Sequence, residues 1–290
     1  MALSSPSRPG SSPSSARHPA STHYPETVSS DFIKQRPGAP AGFFAAEAAG
    51  LQWLAEPGIV PVVEVLDHGA DFLRLERLGE VAPSAAAARE FGRKLAGLHD
   101  AGAPGFGWTP ADSAFFGPLD APFEVSTESG SSFADFWADR RLLPLLSSLS
   151  GELSGEEEAE IASAAWAIGV GSFDGICGHG VEEPARIHGD LWSGNLLWTA
   201  AGGTLIDPAA HGGHRLEDLA LLDLFGTAHL EEIFAGYEEA HPLPEGWRED
   251  LPAHSFFALL AHVRLFGRGF LDQTVNAARS ITARARRLRD

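Results

Sequence analysis

The stretch RIHGDLWSGNLLW, residues 186–198, decides how this chain is read. His188, Asp190, Ser193 and Asn195 crowd into eight residues, with Gly189 and Gly194 between them. A loop that only reverses the chain needs one glycine, not such a set of polar groups. Leu196, Leu197 and Trp198 follow as a short apolar strand. TAAGG (199–203) reads as a hairpin connection, and TLI (204–206) as the return strand, which ends at Asp207. In an antiparallel hairpin the start of one strand lies beside the end of the other. Asn195 therefore comes level with Asp207, and Asp190 sits on the loop feeding the same end. Three oxygen-bearing side chains converge on one spot.

That layout suits one hard cation with a base beside it. Mg²⁺ takes a few oxygen ligands and fills its other positions with water and phosphate oxygens. Asn195 and Asp207 would hold Mg²⁺ with the phosphates of a nucleotide. Asp190 would hold an attacking hydroxyl and accept its proton. Phosphoryl transfer needs mainly positioning and charge neutralisation, which this set supplies. The plainer reading is an Asx-rich turn capping a helix, which needs one polar residue rather than three.

Working outward, DFIKQR (31–36) reads as the end of a strand, broken by Pro37, Gly38 and Pro40. Residues 42–56 read as a helix with Phe44, Ala48, Leu51 and Leu54 on one face. Glu47 falls on that face, and it either meets a cation or reaches solvent from the helix edge. Lys34 is the nearest upstream partner, and a strand lysine paired to a helix glutamate can hold the α- and β-phosphates of a nucleotide. Residues 59–69 and 71–80 read as two strands, after which Glu76 and Leu78 would link two lobes where backbone groups could meet adenine. Helices are expected over 85–99, 132–146 and 154–169, the last opened by a Ser154/Glu157 capping box. Residues 101–132 read as loop, and the chain from about Glu217 onward as helix.

The expected architecture is α+β and two-lobed. Residues 1–30 form an atypical, unordered segment, 31–80 a small strand-rich lobe that positions the nucleotide, and 81–290 a larger, mostly helical lobe. The first 30 residues are half Ser and Pro, too poor in apolar surface to order themselves. With 21 basic against 39 acidic residues the net charge is -18, which disfavours nucleic acid or an anionic membrane as partner. Cys177 is the only cysteine, so no internal disulfide forms, and with no signal peptide or apolar span in view a cytoplasmic location is expected. His211 and His214 lie on a Gly-Gly turn and lack the i, i+4 helical spacing of a metal hydrolase. Ser193 lacks the surroundings of a nucleophile elbow. The arginines at 279, 284, 286, 287 and 289 read as a solvated final helix.

HGDLWSGN, LIDPAAHGGHR, DLALLDLFG and LLAHVRLFGRGF (259–270) together resemble the fructosamine kinases, or ketosamine-3-kinases, relatives of aminoglycoside and choline kinases within the protein-kinase-like fold. The match runs from about Phe32 to Leu271 and is densest over 186–226. The resemblance implies ATP-dependent phosphorylation of the 3-hydroxyl of a sugar joined through an amine, after which the adduct falls apart and glycation is reversed. It implies Asp190 as catalytic base, Asn195 and Asp207 as Mg²⁺ ligands, and Lys34 with Glu47 as the phosphate-positioning pair. Trp192 becomes a wall for the sugar, or else packs in the core. His188 and His214 join Trp192 on the substrate side, with His188 also orienting the loop. The implied substrate is a small glycated amine or a glycated lysine on a protein; oligomeric state stays open. Three departures stand out. Residues 1–30 offer only Gly10 where the family carries a glycine-bearing phosphate loop. GHRE reads GHRL, so Leu216 replaces a glutamate that comes one place later as Glu217. An Asn-Trp before FADFW is missing. The alternatives are an aminoglycoside- or choline-type kinase of the same fold, and a pseudokinase-like binding protein.

Overall fold

Residues 31–76 hold three strands and one helix: β1 (Asp31–Gln35), α1 (Phe43–Ala55), β2 (Val65–His68) and β3 (Phe72–Glu76). The computed structural model describes residues 31–289, so the expectations for 1–30, including the missing phosphate loop, lie outside the described residues. The antiparallel sheet has the order β1-β3-β2 and sets Lys34 opposite Leu73. Leu73 and Leu75 are buried while Arg74 and Glu76 are not, as period-2 alternation requires. Phe44, Ala48 and Leu51 of α1 pack on that buried face. Glu47 goes under with them and does not reach solvent from the helix edge.

The strand expected from Ile59 starts only at Val65. Residues 61–63 instead reach the far hairpin: Leu205 N–H donates to Pro61 O, and Val63 N–H to Leu205 O. That hairpin is β7 (Leu196–Thr199) with β8 (Gly202–Leu205), paired Leu196↔Leu205 through Thr199↔Gly202. Its turn is therefore two residues, Ala200 and Ala201, and both glycines fall in the return strand. Phe91 explains Gly203, because a Cβ there would come within 2.6 Å of its ring.

In chain order the remaining elements begin with α2 (Ala85–Asp100), capped by Ser84 Oγ accepting Ala87 N–H. Residues 101–132 carry a small hairpin, β4 (Ala114–Phe116) with β5 (Phe123–Val125), where sequence suggested only loop. Three-residue aromatic strands are too short for a period to show. The helix expected over 132–146 is α3 (Phe133–Trp137), a π-turn (Ala138–Leu142) and α4 (Leu143–Ser148). Pro144 has no N–H to give the Arg140 carbonyl, and Leu143 N–H bonds Ala138 O five residues back. Next come α5 (Gly155–Gly169), with the expected reciprocal Ser154/Glu157 box, and β6 (Ala185–Ile187), which pairs with β9 (His211–Gly213).

The C-terminal region is not one helix. It comprises α6 (Leu216–Phe225), α7 (Leu230–Ala240), α8 (Leu251–His254), α9 (Phe256–Phe266) and α10 (Leu271–Arg289). Gly226 (φ 72°), Gly246 (φ 84°) behind Pro242 and Pro244, and Gly267 (φ 79°) interrupt it. Nor is the arginine-rich end merely solvated. Arg279 pairs with Glu160, Arg284 with Asp250 and Arg287 with Glu249. Among the described residues no helix is long and apolar enough to cross a membrane.

Helices α2 and α7 cross at glycines. A Cβ on Gly92 would overlap Ile233 O, and one on Gly236 would overlap Arg89 O. We expect Gly92→Ala to destabilise the chain by roughly 1–3 kcal/mol through forced separation of the helices. The gain of about 0.5–1 kcal/mol that alanine brings inside a helix is smaller. Urea midpoints of the two proteins measure the difference.

In the helical core His214 and His254 stack at 4.1 Å beside Phe133, both fully buried. Burial pushes the pKa of His254 down from 6.5 to about 3. Its folded form is neutral while the unfolded chain binds a proton below pH 6.5, so stability falls as pH drops from 6.5 toward 3. His254→Phe keeps the stack and removes that proton. Its melting temperature should fall less steeply than the wild type's over the same window.

Candidate active site

The hairpin brings its polar ends together. Asn195 Nδ2 donates to Asp190 O (2.8 Å), Asp190 Oδ2 (3.0 Å) and Asp207 O (3.3 Å). Ile206 N–H donates to Asn195 O (3.1 Å), fixing the register that puts 195 beside 207. With the amide nitrogen spent on three oxygens, Asn195 Oδ1 is left without a protein partner among the described residues. Burial pushes the Asp190 carboxyl up to about 7, and the fields of Asp207 and Asp218 add to it against the Asn195 hydrogen bond.

Lys34 joins β1 to α1 and to the end of the β7–β8 hairpin. Its Nζ lies 2.7 Å from Glu47 Oε1 and 3.1 Å from Asp207 Oδ1. Burial pulls its pKa down, but both carboxylates outweigh that and hold it above its ordinary value. Asp207 keeps 40% of its side-chain surface exposed and adopts φ 53°, which turns the chain out of β8. Lys34, Glu47, Asp190, Asn195 and Asp207 all line one cleft of about 840 Å³.

Trp192 also lines this cleft, 39% exposed and edge-on to Phe225 at 6.2 Å. It is a wall and not a core residue. His188 and His214 are not on the substrate side. Both are fully buried and absent from the cleft lining. His188 Nε2 donates to Ile206 O (2.8 Å), and its Nδ1 accepts Asp190 N–H (3.2 Å), so it braces the loop from behind. His214 packs instead against the rings of Phe133 and His254 in the helical core. Glu76 Oε1 accepts Glu64 N–H, and Leu78 packs on the cluster under the sheet; neither lines the cleft.

Sequence reasoning missed the group beneath the loop. Asp218, fully buried on α6, accepts His188 N–H (2.8 Å), Gly189 N–H (2.9 Å) and His99 Nε2–H (3.1 Å). Burial pushes its carboxyl up, yet the His99 and backbone hydrogen bonds hold it below the usual range. DLALLDLFG opens on this residue, a signal that marked the position without its role. The displaced acid, Glu217, is used too: it accepts His214 N–H (2.6 Å) and lies 3.3 Å from His211 Nε2. Arg141, the cleft's other buried charge, gave no signal within an ordinary helical pattern.

The donor set fits magnesium and not a softer metal. No cluster of three His, Cys, Asp or Glu that could hold a metal occurs among the described residues. Asn195 Oδ1 and the free oxygen of Asp207 are two hard oxygen donors, the type that Mg²⁺ takes alongside phosphate oxygens. Glu47 and Asp207 face a single Lys34 at this end, so a polyphosphate would need added positive charge to enter.

The chain is similar to known proteins over most of its length. A probable ketoamine kinase of Thermus thermophilus is 33% identical over 241 residues, 82% of each chain. The crystal structure of a proposed fructosamine-3-kinase from Thermobifida fusca superposes with a TM-score of 0.77 at 38% identity, covering 87% of this chain and 85% of that one. A choline/ethanolamine kinase family protein from Mesorhizobium loti shares the fold alone, with a TM-score of 0.54 at 16% identity over 89% of this chain and 87% of its own. The fructosamine kinase family model matches residues 18–284, so the chain belongs to the fructosamine kinase family, with its protein-kinase-like fold.

Proposed function

We propose that this member of the family transfers the γ-phosphoryl group of ATP to the 3-hydroxyl of a ketosamine. The phosphorylated adduct then decomposes, the amine is freed and glycation is undone. The observation that carries the reading is the meeting in one cleft of the Lys34–Glu47–Asp207 ion group with the Asp190–Asn195 pair. The candidate acceptors are free glycated amines and glycated lysine, and a reducing cytoplasm suits a chain with one cysteine.

In this reading Asp190 accepts the proton of the sugar hydroxyl as its oxygen bonds to phosphorus, while ADP leaves from the opposite side. Asn195 holds the Asp190 carboxylate in place through Nδ2. Lys34, kept protonated by two carboxylates, aligns the phosphates. Trp192 offers a flat apolar face to the sugar ring, and its indole N–H can still donate. When bound through Asn195 and Asp207, Mg²⁺ would neutralise charge on the phosphate oxygens.

The decisive assay is phosphate transfer from Mg-ATP to synthetic fructosyl-lysine by the full chain. Transfer to an aminoglycoside or choline instead would move the substrate elsewhere within the fold. No transfer and no thermal stabilisation by Mg-ATP would mark a pseudokinase. Asp190→Asn should lower kcat by roughly 10²–10⁴-fold while Mg-ATP still raises the melting temperature. Lys34→Met, by contrast, should raise KM for ATP and weaken that stabilisation. Equal ATP affinity in Lys34→Met and wild type would remove the phosphate role assigned to Lys34.

A further inference from the structure

Arg141 lines the same cleft yet is only 4% exposed. It sits in the π-turn between α3 and α4, and the turn shapes its surroundings. Pro144 leaves the Arg140 carbonyl without its helical donor, and Arg141 Nη1 bonds that oxygen (3.3 Å) together with Ser126 O (2.9 Å). Its guanidinium lies over Phe136 at 4.6 Å and near Phe257 at 6.0 Å. Both hydrogen bonds use Nη1, so the Nε–Nη2 edge donates to no protein group among the described residues.

Among the described residues no carboxylate pairs with this cation. Glu217 is the one acid whose field reaches it, and Glu217 is taken up by His211 and the His214 N–H. Lys34, the other Lys or Arg lining the cleft, is paired twice. A buried charge with no counter-ion is costly, and aromatic faces recover only part of its lost hydration. The free Nε–Nη2 edge is the geometry that takes a carboxylate by two parallel bonds. Phe136 bridges the two regions, its ring 5.5 Å from His211, and His211 abuts Gly189 next to Asp190. Arg141 thus connects to the catalytic loop through Phe136 and His211, at Gly189 beside Asp190.

We propose that Arg141 receives a carboxylate of the acceptor, so that the preferred substrates are glycated amino acids with a free carboxylate near the amine. This rests on the ketosamine kinase reading above and narrows it. An Nε-glycated lysine within a protein has no such carboxylate and would be the poorer acceptor. The low dielectric of the aromatic surroundings strengthens the bond that the carboxylate makes.

The test compares fructosyl-glycine with fructosyl-ethanolamine, whose amines are alike and whose tails differ in the carboxylate. With full-length protein and Mg-ATP, the glycine adduct should show on the order of 10- to 100-fold higher kcat/KM, mostly through KM. Arg141→Lys should keep part of that preference and Arg141→Met should abolish it. The wild-type comparison decides the matter even if the variants fail to fold. Equal kcat/KM for the two adducts overturns the role of Arg141 and leaves the ketosamine activity standing. Phosphorylation of neither adduct overturns both. A fructosamine 6-phosphate with a neutral tail that outruns fructosyl-glycine would assign Arg141 to a phosphate and overturn the carboxylate.

Discussion

Lys34 Nζ, held between Glu47 and Asp207, is the contact on which the rest of the site depends. It ties β1 to α1 and both to the end of the β7–β8 hairpin, three segments with no local reason to meet. Each of these charged groups loses water on folding, and each would be costly alone. Together they form a compact arrangement with two carboxylates to one ammonium. The surplus negative charge calls for a cation before an anionic ligand can bind, and Asp207 and Asn195, which both line the cleft, carry oxygens of the type it takes.

Beneath this open side lies a closed one. Asp218 gathers two backbone N–H groups of the loop and the His99 ring of α2, and His188 fastens the loop to Ile206. Asp190 is thus backed by satisfied buried groups, while its carboxylate, held by Asn195 Nδ2, lines the cleft. That division, rigid support behind a face that lines the cleft, follows the need for preorganisation in a reaction whose catalysis is mainly positioning. Arg141 shows the same design, with one nitrogen anchored and one edge left free.

The fold and much of the candidate site were legible from local patterns. Glu47 could be read because helical periodicity set a carboxylate among apolar positions, and burial then demanded a cation. The hairpin could be read because apolar runs flank turn residues, although its turn was too long by three residues. Phe91, far off in sequence, claims the space that a side chain at 203 would need. His214 misled because a histidine close to catalytic residues in sequence need not share their face. Its position in β9's exit points it into the helical core, where Phe133 and His254 enclose it.

What the sequence alone determined was the set of chemical groups, their order, and the short-range geometry that puts Asn195 beside Asp207. These follow from periodicities of two and 3.6 residues, which act over a turn or a strand. Only the tertiary structure decided which groups face the cleft and which lie behind it. Asp218 meets His188 across 30 residues and His99 across 119, and Arg141 owes its lack of a counter-ion to packing by Phe136 and Phe257. Burial and pairing at such separations are properties of the assembled core, because a side chain's surroundings are set by whatever chain packs against it, however distant in sequence.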